Sequence, residues 1–290
     1  ILDDLSTALD LVQKSAPNSN YNVFYNERYI NNLLAQVYWF KAESAAKESS
    51  DYEQAKKFSL EAIKNVSASI PKTSAEINLT AQGTNIVYPA FYQSGSGYAE
   101  ISPIYGSTWD YIGFQPSGVT VTSDLINLYA DGDVRKTTYF NGNAISSSWP
   151  DGAPYGAKYV HFYLFQPEEA YLILAEAQFR LGATSDCIAT LNEFKSFRNA
   201  GTATGLSGDQ LFQEIVNERR KEFFSNSDKR WLDLKRYGNK TISRSLRFFN
   251  KDYSITVNPG DFHYALPIPL TELQQNPKII QNEGWTPIIF

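Results

Sequence analysis

Apolar residues recur at helical spacing in three stretches near the start of the chain. Ile1, Leu2, Leu5, Leu9 and Val12 mark a helix over Ile1 to Ser15, and Ile30, Leu33, Leu34, Val37, Tyr38 and Phe40 mark another from Glu27 to Ala46. A third begins near Asp51, whose carboxylate is a candidate cap, and carries Tyr52, Ala55, Phe58, Leu60, Ala62 and Ile63. Small and aromatic positions alternate through this pair, which lets two antiparallel helices approach closely, as in tetratricopeptide units. A second unit comes much later. QPEEAYLILAEAQFRLG places Pro167 at a helix start, Glu168 and Glu169 in its positive first turn and Gly182 at its stop; SDCIATLNEFKSFR is its partner. GDQLFQEIVNERRKEFF, capped near Asp209, adds a helix with Leu211, Phe212, Ile215, Val216 and Phe223 on one side. Two such units fall short of the three or more stacked repeats of a solenoid, so they are expected to pack against something else.

Between the units, from Pro71 to Phe165, the helical period gives way to Gly, Ser, Asn, Thr and Pro interleaved with seventeen aromatic residues. Disordered linkers lack aromatics, so this segment reads as a loop-rich lobe. It holds a short helical pattern at Ser123 to Asp131 and two strand-like runs, VRKTTYF and KYVHFYLF. The chain from Thr241 onward is irregular, with a short hairpin predicted around Asn250 to Asp261. It ends in ALPIPLTELQQNPKIIQNEGW, whose prolines hold the residue before each in an extended path and predict a packing strap. The fold class expected is mainly α: a tetratricopeptide-like helical scaffold with a loop-rich lobe containing short strands. Its parts are a helical hairpin at 1–70, the lobe at 71–165, a second helical unit at 166–240 and an irregular strap at 241–290.

A net charge of −5 and a pI near 5.2 are poor material for gripping a phosphate backbone, so nucleic acid is not an expected partner. The single cysteine, Cys187, sits in a helical pattern and reads as a buried structural thiol. No run of eighteen apolar residues is present. The chain opens on Ile1, and any membrane anchor is expected upstream of it.

His161 and His263 are far apart and lack ligand companions at zinc spacing. The Asp131–Asp133 turn has a faint calcium-loop look without the remaining ligands, and reads as a turn feeding the next element. Nucleophile elbow, phosphate loop and dinucleotide fingerprint are missing. Glu100, Asp110, Asp124 and Asp151 could supply a glycosidase pair, as any acidic chain could by chance. No cofactor is expected. The positive signal is aromatic: ISPIYGSTWDYIGF sets Tyr105, Trp109 and Tyr111 among Gly and Ser, and SSSWPDGAPYG sets Trp149 and Tyr155 beside Asp151. Flat rings stack on the C–H faces of sugars at low entropic cost, while polar neighbours satisfy hydroxyls. The same rings could instead fill the core of a lobe poor in aliphatic residues.

Four segments in fixed order carry a resemblance. NERRKEFF followed by RWLDLKRYG, over Asn217 to Gly238, the closing YALPIPLTELQQNPKIIQNEGW, the helix AYLILAEAQFRLG and the run SDLINLYADGDVRKTTYF are together similar to the SusD/RagB family. The resemblance extends over essentially the whole chain, of a family that is normally longer at its N-terminus. It implies a non-enzymatic, cell-surface glycan-binding protein, lipid-anchored in a Gram-negative outer membrane, that captures a polysaccharide or oligosaccharide and delivers it to a SusC-like TonB-dependent transporter. Membrane attachment would run only through an N-terminal lipid absent from this chain. The candidate ligand-binding residues are Tyr105, Trp109, Tyr111, Trp149, Asp151 and Tyr155. A peptide-binding relative and a tetratricopeptide-type protein-interaction scaffold are the alternatives. The family often has an Arg shortly before the Tyr-Leu helix; this chain reads FQPEEAY there, and no role for that Arg is carried over. Glu218, Glu222, Arg219, Arg220 and Asp233 are expected to lock their helix to the following turn, a structural role that Trp231 shares.

Overall fold

Helical periodicity is realised where the sequence shows it. In a computed structural model, which describes residues 1–14, 26–68, 70–74, 76–77, 90–94, 121–145, 159–163, 166–224, 229–238, 240–248 and 251–285, the chain forms two bodies, Ile1–Ser227 and Asp228–Phe290.

The first body opens with α1 (Leu2–Lys14), α2 (Glu27–Lys41) and α3 (Asp51–Ile63). α2 stops at Lys41 rather than Ala46, and Asp51 does not cap α3, which starts from Ser50. Asp51 is instead buried in the first turn, where it accepts the Glu48 N–H (2.7 Å) and pairs with Lys41 (2.8 Å). The carboxylate thus staples the turn between α2 and α3. Next in the helical core come α6 (Pro167–Arg180), α7 (Thr184–Arg198) and α8 (Gly208–Glu222), the last starting from Ser207 rather than from a cap at Asp209.

The partner that each helical unit requires is the other unit. α3 lies along α6, and α6 also packs on α2, α7 and α8, around a core that includes Ala62, Val66, Leu172, Ala175, Leu191 and Leu211. α6 is buried on every side from Pro167 to Gln178. It ends at Gly182, with φ +77°: the Gly182 N–H bonds the Phe179 carbonyl and the Ala183 N–H that of Gln178, the paired closure that a left-handed residue permits. Cys187 lies in this core, and burial pushes its thiol up to about 12.

Between the two hairpins the described lobe residues form β1 (Ala90–Ser94), α4 (Ser123–Ile126), α5 (Val134–Tyr139), the paired residues β2 (Phe140–Asn141) and β3 (Ala144–Ile145), and β4 (Tyr159–Tyr163), which pairs antiparallel with β1. The run VRKTTYF, predicted as a strand from its β-branched and aromatic residues, is the helix α5 up to Tyr139. Asp133 caps it by accepting the Arg135 N–H, and the Thr138 hydroxyl donates to the Val134 carbonyl at 2.6 Å. Strand propensity is a weak, context-dependent preference, and here a cap and a tertiary ion pair at Arg135 override it.

In the second body, α9 (Lys229–Arg236) carries Trp231, which stacks on Tyr264 with ring centroids 5.4 Å apart. β5 (Ile242–Phe248) and β6 (Lys251–Val257) pair from Ile242↔Val257 to Phe248↔Lys251, so the hairpin starts well before Asn250. A 3-10 turn at Phe262–Tyr264 and α10 (Leu270–Gln275) follow. The proline-rich end closes on itself through side chains. Ile268 donates its N–H to the Gln281 amide oxygen (2.8 Å) and accepts from the Gln281 amide nitrogen (2.9 Å); Asn282 and Trp285 donate to the carbonyls of Leu266 and Ala265, each at 2.7 Å. Pro267 and Pro269 have no N–H to offer a neighbouring strand, and these side chains supply the missing ladder. Gly284, at φ +83°, lies against Phe262, with room for no Cβ: one would stand 2.3 Å from the ring. We expect Gly284→Ala to lower stability by at least about 1–2 kcal/mol, from backbone strain alone. Chemical unfolding followed by tryptophan fluorescence checks it.

Candidate functional site

The six candidate ligand residues, Tyr105, Trp109, Tyr111, Trp149, Asp151 and Tyr155, lie outside the described residues, as do Glu100 and Asp110. What is described is the frame that carries them. Residues 95–120 leave the frame at Ser94 and rejoin it at Val121; residues 146–158 leave at Ile145 and rejoin at Tyr159. Ser94 and Tyr159 are opposite partners in the β1–β4 ladder. Val121 donates its N–H to the carbonyl of Asn143 (2.7 Å), at the turn before β3. Both aromatic segments therefore hang between the same two anchorages.

The second anchorage is fixed to the helical core by packing and by charge. Leu125, Tyr129, Tyr139 and Phe140 form a cluster against Phe224, and the Tyr129 hydroxyl donates to the Lys221 carbonyl at 2.8 Å. Asn199, in the left-handed conformation that ends α7, donates to the Gly132 carbonyl at 2.9 Å. Asp131 and Asp133, the two carboxylates of the supposed calcium-like turn, are each held by a cation of α5: Lys136 at 2.9 Å and Arg135 at 2.7 Å.

Arg135 is the centre of this attachment. Its guanidinium is fully buried and reaches Asp133, Glu218 (2.9 Å) and Glu222 (2.8 Å). Glu222 also takes Arg198 (2.6 Å), which extends to Glu168 at the head of α6 (2.7 Å) and to the Pro71 carbonyl, where the chain leaves the first helical hairpin. Lys195 and Lys221 both pair with Glu218. Among the described residues four buried cations thus meet Asp133, Glu168, Glu218 and Glu222, with Glu214 at the edge also pairing with Lys195, and burial of either sign is tolerable only with such partners. Burial alone would raise Glu218; Arg135, Lys221 and Lys195 outweigh it and hold the carboxyl at about 2. Glu222 is likewise lowered, burial being overcome by Arg198 and Arg135.

A second chain of contacts ties α6 to α2 and α8. Glu169 accepts from Gln36 (2.9 Å) and faces Arg219 (3.6 Å), Glu176 accepts from the Trp39 indole (2.8 Å), and the Arg219 guanidinium lies 4.4 Å from the Trp39 ring centroid. The Glu-Arg-Arg helix is therefore a locking element, and its two glutamates reach partners outside their own helix. Glu218 and Glu222 look to Arg135 and Arg198, distant in sequence, while Arg220 pairs with the exposed Asp124 at 2.7 Å. Arg135 stands in the Asp-Val-Arg run that carried part of the resemblance; an arginine beside a capping aspartate, facing an unmatched Glu pair, was the available signal.

The sequence profile of the SusD family (SusD/RagB) matches residues 162–285, the stretch that holds α6, the Glu-Arg-Arg helix and the Gln281 closure. Over those residues the chain is similar to the SusD family. The starch-binding protein SusD of Bacteroides thetaiotaomicron is 30% identical over 122 residues, which make up 42% of this chain and 21% of that protein. A putative sugar binding protein from Bacteroides vulgatus superposes with a TM-score of 0.70 at 20% identity, covering 98% of this chain and 64% of its own. A SusD-like carbohydrate binding protein from the same species gives 0.60 at 18%, covering 91% and 58%. The fold is SusD-like and, among the described residues, mainly helical, and the chain spans about three-fifths of the length of these solved relatives.

Two outcomes follow for the locking cluster. Arg135→Ala takes the guanidinium away from buried Asp133 and leaves Glu218 with only Lys195 and Lys221, and the expected loss is about 3–5 kcal/mol in urea unfolding, with Arg135→Lys recovering only part. Since Glu218 titrates lower in the folded protein than its ordinary 4.5, its contribution is complete above pH 4.5 and drains away as pH falls toward 2. The urea midpoint of the whole chain should therefore drop steeply in that window; a midpoint flat from pH 5 to 2 would contradict it.

Proposed function

We propose that this chain is the greater part of a cell-surface glycan-binding protein that captures a polysaccharide or oligosaccharide and passes it to a SusC-like TonB-dependent transporter, without chemistry on the ligand. The observation that carries the reading is the shared anchorage of the two aromatic segments on a SusD-like scaffold. A binder needs flat rings presented from a fixed base, because ordering loops at the moment of binding subtracts from affinity. The ladder between β1 and β4 is one base, and the turn held by Arg135 is the other. Trp109 and Trp149 belong to different segments, so a platform that uses both would grip more than one sugar ring. The names of the relatives, starch-binding, sugar binding and carbohydrate binding, agree with the ligand class. Residues 71–165 would then be the binding lobe and the helical units its support. Attachment to an outer membrane through a lipid upstream of Ile1 belongs to the same proposal.

Affinity electrophoresis of the chain through gels containing plant, host or microbial polysaccharides tests it. One glycan should retard the protein, and Trp109→Ala or Trp149→Ala should weaken that binding about tenfold, equivalent to one stacked ring at 1.4 kcal/mol, with the circular dichroism unchanged. Failure of every glycan, with retention of a peptide library instead, would move the assignment to a peptide-binding relative.

A further inference from the structure

The net charge of −5 conceals a division between the two bodies. Ile1–Ser227 has 17 Lys and Arg against 25 Asp and Glu, a net of −8, whereas Asp228–Phe290 has nine against six, a net of +3. Eight of those nine cations fall between positions 229 and 251, where Asp233 is the only acid. This is a basic stretch in an acidic chain.

The β5–β6 hairpin shows part of that charge in specific company. Opposed residues of an antiparallel pair share a face, and the register sets positions 242, 244, 246 and 248 across from 257, 255, 253 and 251. That face carries Ile242, Val257, Ile255 and Tyr253 together with the cations Arg244 and Lys251. The other face is polar, with the Ser243 and Thr256 hydroxyls joined at 3.1 Å. An apolar face would ordinarily be the buried one, yet Tyr253 is 48% and Ile255 52% exposed, and Arg244 and Lys251 are exposed beside them. Ile242 and Val257 are half-buried, and a two-stranded ribbon that leaves Tyr253 and Ile255 in water is marginal by itself.

Whatever completes this face must accept apolar side chains and be negatively charged at the same depth. An acidic polysaccharide offers the Tyr253 ring a C–H face but gives the Ile255 side chain no hydrocarbon to enter. An anionic lipid surface supplies both, with phosphates outermost and the acyl boundary just beneath. We propose that the β5–β6 face docks on an anionic lipid surface, with Arg244 and Lys251 at the headgroup phosphates and Tyr253 and Ile255 in the boundary layer below them. Among the described residues no helix is long and apolar enough to cross a membrane, so the contact is peripheral. It lies in the other body from the aromatic segments and stands whether or not they bind glycan.

Vesicle co-sedimentation of the full chain decides it. Phosphatidylcholine vesicles containing about a third phosphatidylglycerol should bring the protein down, pure phosphatidylcholine vesicles should not, and added salt should release it. The double variant Arg244→Glu/Lys251→Glu should lose at least tenfold in binding, and Tyr253→Ser/Ile255→Ser should lose a comparable factor while keeping the dependence on anionic lipid. All four positions are exposed, and unchanged circular dichroism confirms that the variants fold. Equal binding to neutral vesicles, or charge-reversed protein that sediments like the parent, overturns the proposal. Retention by polygalacturonate without any vesicle binding overturns it too, in favour of an acidic glycan.

Discussion

A helix buried on every side is the constraint from which the first body follows. α6 passes through the middle of the packing, and three of its buried residues, Glu168, Glu169 and Glu176, are acids. A carboxylate taken out of water must find donors, or the helix cannot sit there. Three of its neighbours supply them: α2 through Gln36 and Trp39, α7 through Arg198 and α8 through Arg219. Hydrophobic contact would let these helices slide against one another by a turn at small cost. The carboxylates fix one register. Buried pairs of this kind add little net stability, since desolvation consumes most of the Coulomb gain, but removing one partner is severe.

The same physics explains how a long, irregular insertion can be carried between two halves of a helical core. Closing a loop costs entropy that grows only slowly with its length, roughly 0.6 kcal/mol per doubling, so the length of the lobe is not the difficulty. Holding its root in one place is. Arg135 does so by bringing a positive charge from the lobe to the carboxylates of α8, while Arg198 takes the Pro71 carbonyl at the start of the lobe and Glu168 at the resumption of the core. Val121 and Ile145, where the two ring-bearing segments meet the described chain, belong to that held turn.

The second body reaches order by other means. It contains a short helix, a two-stranded ribbon and a terminal segment too rich in proline to form a sheet. Gln281, Asn282 and Trp285 supply side-chain hydrogen bonds to a backbone that has lost its own donors. The result leaves a basic, partly apolar ribbon face open.

Periodicity in the sequence was enough to determine the helices, because an amphipathic stripe is a local property with a fixed spacing; α1, α2, α3, α6, α7 and α8 stand close to where the apolar positions put them, and Gly182 stops α6 through its own backbone freedom. The order of short motifs also sufficed for the family. Tertiary structure alone decided the rest. The strand-like run at Val134 became a helix because a cap and a distant pair of glutamates outweighed propensity, and Asp51 turned from a cap into a turn staple because Lys41 was within reach. Glu218 and Glu222 found Arg135 and Arg198, while Arg219 is buried toward Trp39 and Glu169 and Arg220 reaches the exposed Asp124. Nothing in sequence spacing reports which residues, eighty or more positions apart, meet around a buried charge; that is settled by packing, and a buried charge accepts only the partners that packing brings.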